Sequence, residues 1–420
     1  MILDLTPLAI ALVGLVLYTV LGGADFGAGF WQLLAGSGAY GRELRDHAHR
    51  AIAPVWEANH VWLILVITVL WTGYPVFFGS VFSSLDVPLF LALLGIILRG
   101  LCYALHNATD LPRERRVIDT TFAVSSILTP FMLGTCIGAI ASGRVPVGNA
   151  AGAPYSSWTN STSLLSGAIA VSTGAFLAAV YLAADARRFP AIAGLGDAFR
   201  RRALGAGAAT GVLALVALAV SHGDAPHLYH GLTRGLGLAA VIVSAVAGLA
   251  SMALVRSRRY SVARLAAAIA VAALLGGWAA AQRPDLLPGL PVRTAAADDT
   301  TLVALIVAIA IGAVILFPSL ALLFRLSLAG RLDPDRRGPE LEHPERGDAL
   351  RPGWAARGAL ACFVAGCALL VFADDDAGHV VGVVAFAATA VLGFTAIGPD
   401  QLAAQEPHVH VVPPSDGPRL

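Results

Sequence analysis

The chain has 420 residues, of which 57% are hydrophobic and only 13% are charged. A soluble globular domain carries about 25% charged residues, so this composition excludes the soluble class and indicates a membrane protein. The formal net charge is +1, and this balance argues against a nucleic-acid-binding protein.

Apolar runs long enough to cross a bilayer recur along the chain. A spanning helix needs about 20 mainly apolar residues. About eleven such runs lie near residues 7–34, 51–73, 81–106, 118–142, 163–184, 204–221, 232–255, 262–282, 300–325, 355–373 and 378–397. The sequence therefore predicts an all-α polytopic membrane protein. The first run has no basic segment before it and no cleavage site after it, so we interpret it as a retained span.

Arginines alternate between the loops and predict the orientation. The loops after the first, third, fifth, seventh and ninth runs are arginine-rich: Arg42, Arg45, Arg50, Arg113, Arg115, Arg116, Arg187, Arg188, Arg200, Arg201, Arg202, Arg256, Arg258, Arg259, Arg331, Arg336, Arg337, Arg346 and Arg351. The intervening loops carry few arginines. By the positive-inside rule the N-terminus faces outward and the C-terminus lies in the cytoplasm.

The C-terminal part of the chain differs in composition from the rest. Residues 1–330 form a membrane domain of about nine predicted helices. Residues 331–354 are charged and rich in proline, which predicts a cytoplasmic linker. Residues 355–398 are expected to form an extra helix pair, and residues 399–420 a disordered tail.

The positions and spacing of the histidines and cysteines do not indicate a metal or haem site. Of the histidines, only His60 lies clearly inside a run, whereas a transmembrane haem held by two histidines needs a facing pair. The cysteines lie in apolar runs without the spacing of redox or zinc sites, and we interpret them as core residues: Cys102, Cys136, Cys362 and Cys367. No metal site is therefore expected.

Three ionisable residues lie inside predicted spans, namely Asp25 in the first, Glu57 in the second and Arg99 in the third. Such a group costs on the order of a few kcal/mol in a bilayer, so it is usually paired, hydrated or functional. Counted from the ends of their runs at 1.5 Å per residue, all three lie roughly 9–14 Å from the cytoplasmic surface. The sequence thus predicts one polar layer, as a proton entry route needs.

Two interpretations of this layer stay open. Arg99 can form a structural ion pair with Asp25 or Glu57 and fix the register of the helices. The other interpretation is proton conduction, with which the ion pair is also compatible because one carboxylate is left without a full partner. Glu57 and His60 are three residues apart on one helix face and can exchange a proton. The candidate proton-path residues are therefore Glu57, Asp25 and His60.

Small and aromatic residues flank these groups. Gly23 and Gly27 form a G-x-x-x-G pair, which favours close helix packing. Trp56, Asn59 and Trp62 share an adjoining face of the second run. Trp56 fits an interfacial anchor, whereas Trp62 lies deeper and fits that role less well.

These segments resemble one family. Residues 23–29 resemble the G-x-D-x-G-x-G segment of the first helix in subunit II of bd-type quinol oxidases. Residues 54–62 resemble its P-x-W-[D/E]-x-N-x-V-W segment, and residues 98–100 its third-helix arginine motif. Further similar positions are residues 130–134, Gly138, Gly143, Val145, Pro146, residues 317–318 and Arg325. The resemblance covers about residues 1–330.

The resemblance implies two four-helix bundles plus a peripheral helix in a bacterial plasma membrane. It implies a heterodimer with a haem-bearing subunit I that holds haem b, haem d and the quinol site. Such a complex oxidises quinol, reduces dioxygen to water and builds a proton gradient. No haem is expected in this chain, while a bound quinone, membrane lipid and small accessory subunits are compatible with the family.

The resemblance also implies roles for single residues. Glu57 becomes a proton-path carboxylate, and Trp62 lines the same oxygen and quinone region as Asn59. Asp25 and Arg99 would be buried neighbours of this region. In some members the residue at Trp56 contacts a bound quinone.

Some features depart from the family, and other functions were weighed. Ala104 stands where the family often has an acidic residue, and His106 stands at a basic position. Residues 331–420 lie outside the usual nine-helix pattern. An ion-coupled secondary transporter that uses Asp25 and Glu57 is the alternative function, and a scaffold paralogue without a catalytic partner is a third.

Overall fold

A computed structural model describes residues 2–36, 38–105, 112–187, 193–328, 354–372 and 376–396. The chain divides into two compact units, Met1–Leu332 and Asp333–Leu420. Almost all of the described residues are helical, so the predicted all-α fold is confirmed.

In its described residues, the first unit has thirteen helices and one short hairpin. Its helices are α1 (Ile2–Leu17), α2 (Gly23–Leu33), α3 (Ala39–Gly73), α4 (Pro75–Ser84), α5 (Asp86–Leu105), α6 (Pro112–Ala141), α7 (Ser161–Ala186), α8 (Ala193–Asp224), α9 (Pro226–Leu232), α10 (Gly235–Arg256), α11 (Tyr260–Gln282), α12 (Val292–Ala295) and α13 (Asp299–Leu328). A π-helical turn, Tyr18–Gly22, joins α1 to α2. Antiparallel strands β1 (Asp285–Leu287) and β2 (Leu290–Pro291) form the hairpin.

Eight helical segments in the described part of the chain are long and apolar enough to cross a membrane. They are Ile2–Leu33, Asp86–Leu105, Glu114–Ala141, Ser161–Ala186, Gly194–Asp224, Gly235–Arg256, Tyr260–Gln282 and Asp299–Leu322. The bent pair of α3 and α4 makes a ninth if it is counted as one span. With the bent pair counted as one span, these segments correspond in number and order to the first nine predicted runs.

The second and third predicted runs had wrong boundaries. Helix α3 begins at Ala39, well before residue 51, and the chain then bends by 118° into α4. Pro75 causes the break because proline cannot donate the helical hydrogen bond and disfavours helical angles at the preceding residue. Tyr74 accordingly has φ −140° and ψ 60°. The third span begins at Asp86, because residues 81–84 belong to α4.

Three serines of α4 hold the loop that follows α6. The hydroxyls of Ser80, Ser83 and Ser84 accept hydrogen bonds from the backbone N–H groups of residues 148, 150 and 152, at 2.9, 2.7 and 3.2 Å. Tyr74 fixes the start of the same helix, because its hydroxyl donates to the main-chain oxygen of Asp4 at 2.6 Å. The bend is therefore anchored on both sides.

The spans of the first unit form two groups that meet at α7. The first group is α1 with α2, α3, α5 and α6, and the second is α7, α8, α10 and α11. Helix α13 packs on α1 and α3 at the edge. The largest buried apolar cluster lies between α2, α7, α8 and α11, and it includes Phe176, Leu177, Leu182, Leu195 and Phe199.

Helices α2 and α7 approach closely at glycines. A Cβ on Gly27 would overlap the backbone of Gly174, and a Cβ on Gly23 would lie 3.3 Å from Leu177. Both predicted helix-packing glycines thus face α7. Helix α7 in turn is buried along most of its length.

An ion pair ties the ends of α6, α7 and α8 together. Arg144 donates to the carboxylate of Asp224 at 2.6 Å. The same carboxylate accepts from the backbone N–H of Thr162 at 3.0 Å and from its hydroxyl at 2.5 Å. Asn160 caps α7 as well, because its side chain accepts from the N–H of Ser163. Asp224 therefore satisfies the backbone N–H of Thr162, which has no partner within the helix in the first turn of α7.

The second unit contains α14 (Trp354–Phe372) and α15 (Asp376–Ala396), which pack against each other. Their apolar described stretches are Arg357–Gly366 and Val380–Thr389. The predicted linker (331–354, apart from Trp354) and the tail (399–420) lie outside the described residues.

Candidate functional site

An ion pair between Asp25 of α2 and Arg99 of α5 forms the centre of a buried polar layer. Arg99 is 1% exposed and Asp25 is 4% exposed. The Arg99 guanidinium donates to the Asp25 carboxylate and, at 3.1 Å, to the main-chain oxygen of Asp25. It also donates to the hydroxyl of Ser126 on α6. One guanidinium therefore connects three helices.

Two aromatic rings enclose the same guanidinium. Its central carbon lies 4.9 Å from the ring centre of Phe26 and 4.2 Å from that of Phe122. A desolvated cation over an aromatic face gains about 2 kcal/mol. A Cβ on Gly29 would overlap Ser126, so the glycine leaves the space in which Ser126 and Arg99 meet. Ionic, polar and aromatic contacts together hold Arg99 in one position.

Helix α3 contributes Asn59, His60 and Trp62 to this layer. Asn59 and Trp62 are 2% and 5% exposed, and His60 is half-buried. Asn59 and His60 lie close enough to Asp25 to influence its carboxylate. The Trp62 ring lies 6.3 Å from the ring of Phe317 on α13. The structure thus brings Asn59 and His60 to the Asp25–Arg99 ion pair, and it places Trp62 in an apolar cluster with Phe26.

Two predicted site residues can be placed only by their backbone. Trp56 and Glu57 belong to α3, but their side chains lie outside the described residues. His106, which stands at a basic position of the family pattern, also lies outside them. The proposed contacts of Glu57 and Trp56 therefore stay predictions.

Tyr18 is a member of the layer that sequence reasoning missed. Its ring lies across Gly22 and meets Phe26 edge-on, with 6.4 Å between the ring centres. Tyr18 is 6% exposed and shares an apolar cluster with Phe26 and Trp62. A spacing of seven residues would be two turns of a regular α-helix, but the π-helical turn Tyr18–Gly22 shifts this spacing, so the sequence offered only a partial signal.

Metal binding can be judged by the donor groups. Among the described residues, no group of three or more histidine, cysteine, aspartate or glutamate side chains is placed to hold a metal ion. In its described part, the polar layer instead offers the Asp25 carboxylate, the Arg99 guanidinium, an imidazole, an amide, a phenol and an indole N–H. Such groups can bind water, exchange protons and fix helices.

The family model described as cytochrome bd terminal oxidase subunit II matches residues 3–327. Subunit 2 of a cytochrome bd ubiquinol oxidase from Bacillus subtilis is 27% identical over 112 residues, which cover 27% of this chain and 32% of that protein. Subunit 2 of the cytochrome bd-I ubiquinol oxidase from Escherichia coli is 27% identical over 134 residues, covering 31% and 35%. These alignments span about a third of each relative.

A solved structure is also similar. The bd oxidase from Geobacillus thermodenitrificans includes a chain that matches with a TM-score of 0.65 and 24% identity. The match covers 78% of this chain and 99% of that chain. This likeness shows a shared fold.

Proposed function

The chain belongs to the cytochrome bd terminal oxidase subunit II family, and we propose that it is the non-haem subunit of a bd-type quinol oxidase. The family match over residues 3–327 is the observation that carries this proposal. The oxidase would oxidise quinol and reduce dioxygen to water. The same match favours this function over the alternative of an ion-coupled secondary transporter.

The haem chemistry belongs, in this proposal, to a partner subunit I with haem b and haem d. The donor groups support this assignment, because the candidate spans of the described residues contain only His60 and His222, which lie near the ends of two different spans. A haem held by two facing histidines therefore finds no matching pair in that part of the chain. This chain would stabilise the partner, and small accessory subunits and lipid would complete the complex.

The buried layer would serve proton access from the cytoplasm. Glu57 and His60 share one face of α3, and His60 lies near Asp25. A proton could pass from Glu57 to His60 and onward past the Asp25 carboxylate. Arg99 would keep that carboxylate in place, because it binds both the side chain and the backbone of Asp25.

The aromatic residues of α3 would line the adjoining oxygen and quinone region. Trp62 packs between the layer and Phe317, so its apolar ring borders the polar groups. Asn59 belongs to the same helix face one turn away. Trp56 lies two turns from Trp62 and would contact a quinone.

The arginine pattern supports an orientation with the N-terminus outside and the C-terminus in the cytoplasm of a bacterial cell. The loop ends at Arg187, Arg256, Arg258 and Arg259 carry exposed guanidinium groups. This orientation would put the entry side of the polar layer at the cytoplasm.

The test is a reduced-minus-oxidised absorption spectrum of the complex purified through a tag on this chain. We expect bands of b-type and d-type haem together with a second, haem-bearing polypeptide. A colourless preparation of a single intact chain would contradict the oxidase function. Testing Asp25 and Glu57 for ion binding would then be the next step.

A further inference from the structure

Several polar atoms of the buried layer have no hydrogen-bond partner among the described residues. They are the Tyr18 hydroxyl, both amide atoms of Asn59 and the indole N–H of Trp62. All three side chains are at least nine-tenths buried, with exposures of 6%, 2% and 5%. Buried polar groups of native proteins almost always bind either protein groups or ordered water.

Tyr18 and Trp62 belong to one buried cluster, where the π-helical turn after α1 packs against α3. A Cβ on Gly14 would lie 3.2 Å from Val66 and 3.5 Å from the main-chain oxygen of Trp62. The two helices run in opposite directions, because Asp25, further along the chain, lies beside Asn59. Tyr18 follows Gly14 by one helical turn and therefore lies at the level of Trp62 and Asn59.

From this helix contact, the ring of Tyr18 extends toward the Asp25–Arg99 ion pair. It lies across Gly22, with ring atoms 3.4 to 3.8 Å from where a Cβ would stand, and its edge meets Phe26. Phe26 carries the guanidinium of Arg99 on its face. The Tyr18 hydroxyl therefore lies in the same layer as Asp25 and Arg99.

A partner subunit cannot supply the missing hydrogen bonds. This chain alone buries Tyr18, Asn59 and Trp62, so a protein that docks on its outer surface does not reach them. The four atoms together offer donors and acceptors, which is the combination that a bound water molecule needs. Asn59 also lies close to the Asp25 carboxylate, so a water molecule bound to its amide would lie beside that carboxylate.

We propose that Tyr18, Asn59 and Trp62 form a binding site for ordered water beside the Asp25–Arg99 ion pair. Tyr18 and Asn59 are the positioning residues of this water. If the chain conducts protons as proposed above, the water links the α3 side of the layer to the Asp25 side. The π-helical turn Tyr18–Gly22 supports this role, because such turns occur often at functional sites.

The direct test is cryo-electron microscopy of the whole complex, at a resolution that shows ordered water elsewhere in its membrane interior. We expect density within hydrogen-bond distance of the Tyr18 hydroxyl and the Asn59 amide, and its loss or displacement in Tyr18→Phe. Side chains that bond each other directly, with no density between them, would overturn the water site.

The functional test compares Tyr18→Phe and Asn59→Leu with Tyr155→Phe in the purified complex. Tyr155 is 69% exposed, so its variant removes a hydroxyl away from the layer. We expect Tyr18→Phe to lower oxygen uptake severalfold at unchanged quinol KM and to raise the ratio of rates in H2O and D2O. Tyr155→Phe should change neither. Wild-type turnover and isotope ratio in Tyr18→Phe would overturn the role in proton transfer.

The water site and the proposed proton function fail in different experiments. Missing density overturns the site even if Glu57→Gln slows turnover. Conversely, unchanged turnover in Glu57→Gln overturns the proton function, while the density is observed independently of turnover. If Asn59→Leu does not assemble, Tyr18→Phe still decides the question because it keeps the ring that packs on Gly22.

Discussion

Arg99 binds Asp25 twice, once through the carboxylate and once through the main-chain oxygen. The pair is almost completely enclosed by this chain. Taking two charges out of water is costly, and their attraction offsets this cost only when both partners are present. The energetic consequence of a mutation therefore depends on which charge is left behind.

Arg99→Leu should destabilise the complex strongly, because it leaves the Asp25 carboxylate buried without its cation. We expect a loss of about 3–5 kcal/mol in unfolding free energy. The yield of intact complex and its thermal unfolding would measure this loss. Turnover per assembled complex should fall less than the yield.

The double variant Asp25→Leu with Arg99→Leu is the matched control. It removes both charges, so it should be more stable than Arg99→Leu alone. Equal stability of the single and the double variant would show that the uncompensated charge is not the cause.

Glu57→Gln should slow quinol-dependent oxygen uptake without loss of assembly. The amide keeps the size of the side chain but cannot take up and release a proton at this position. Oxygen consumption by the purified complex measures the effect. Glu43→Gln is the control, because Glu43 lies on the same helix and is exposed. Equal turnover of the two intact variants would refute the proton role of Glu57.

Gly27→Ala should weaken the contact between α2 and α7. Its added Cβ would overlap the backbone of Gly174, and overpacking of this kind costs about 1–3 kcal/mol. Gly205→Ala in α8 introduces the same group where no atom lies within 4 Å apart from its chain neighbours and the nearby backbone of its own helix. It should be neutral or slightly stabilising, by up to about 1 kcal/mol. Thermal unfolding of both complexes tests the difference, and equal melting would contradict the close approach.

Asp224→Ala should loosen the start of α7. It removes both the ion pair with Arg144 and the acceptor for Thr162, and loss of a helix cap costs about 0.5–2 kcal/mol. Arg144→Gln removes only the ion pair, which is partly exposed and contributes at most about 1 kcal/mol. Hydrogen exchange in the first turn of α7 should therefore rise more in Asp224→Ala. Equal hydrogen exchange in the two variants would show that the Asp224 cap does not stabilise the first turn of α7.

Hydropathy predicted most of the fold because each span satisfies its own backbone hydrogen bonds in lipid. The bend between α3 and α4 was missed although Pro75 is its signal. Apolar residues on both sides of the proline hide the break when only hydropathy is counted. The early start of α3 was missed for the opposite reason, since residues 39–50 are polar and still helical.

The polar layer could be predicted only in part. Depth counted along the chain placed Asp25 and Arg99 at one level, but it left the partner of Arg99 open between Asp25 and Glu57. The contacts with Ser126 and Phe122 arise from the packing of α6, which depth alone does not define. The position of the Tyr18 side chain depends on a π-helical turn, whose extra residue shifts the helical spacing.

Opposite charges at one depth give the Asp25–Arg99 pair a further property. A membrane voltage does work of about 2.3 kcal/mol per 100 mV on one elementary charge that crosses the full membrane. On this pair the forces on the two charges oppose each other, so the net work is close to zero. The pair should therefore keep its geometry whether the membrane is energised or not. A proton that moves past the pair carries a net charge, so the voltage does net work on that proton.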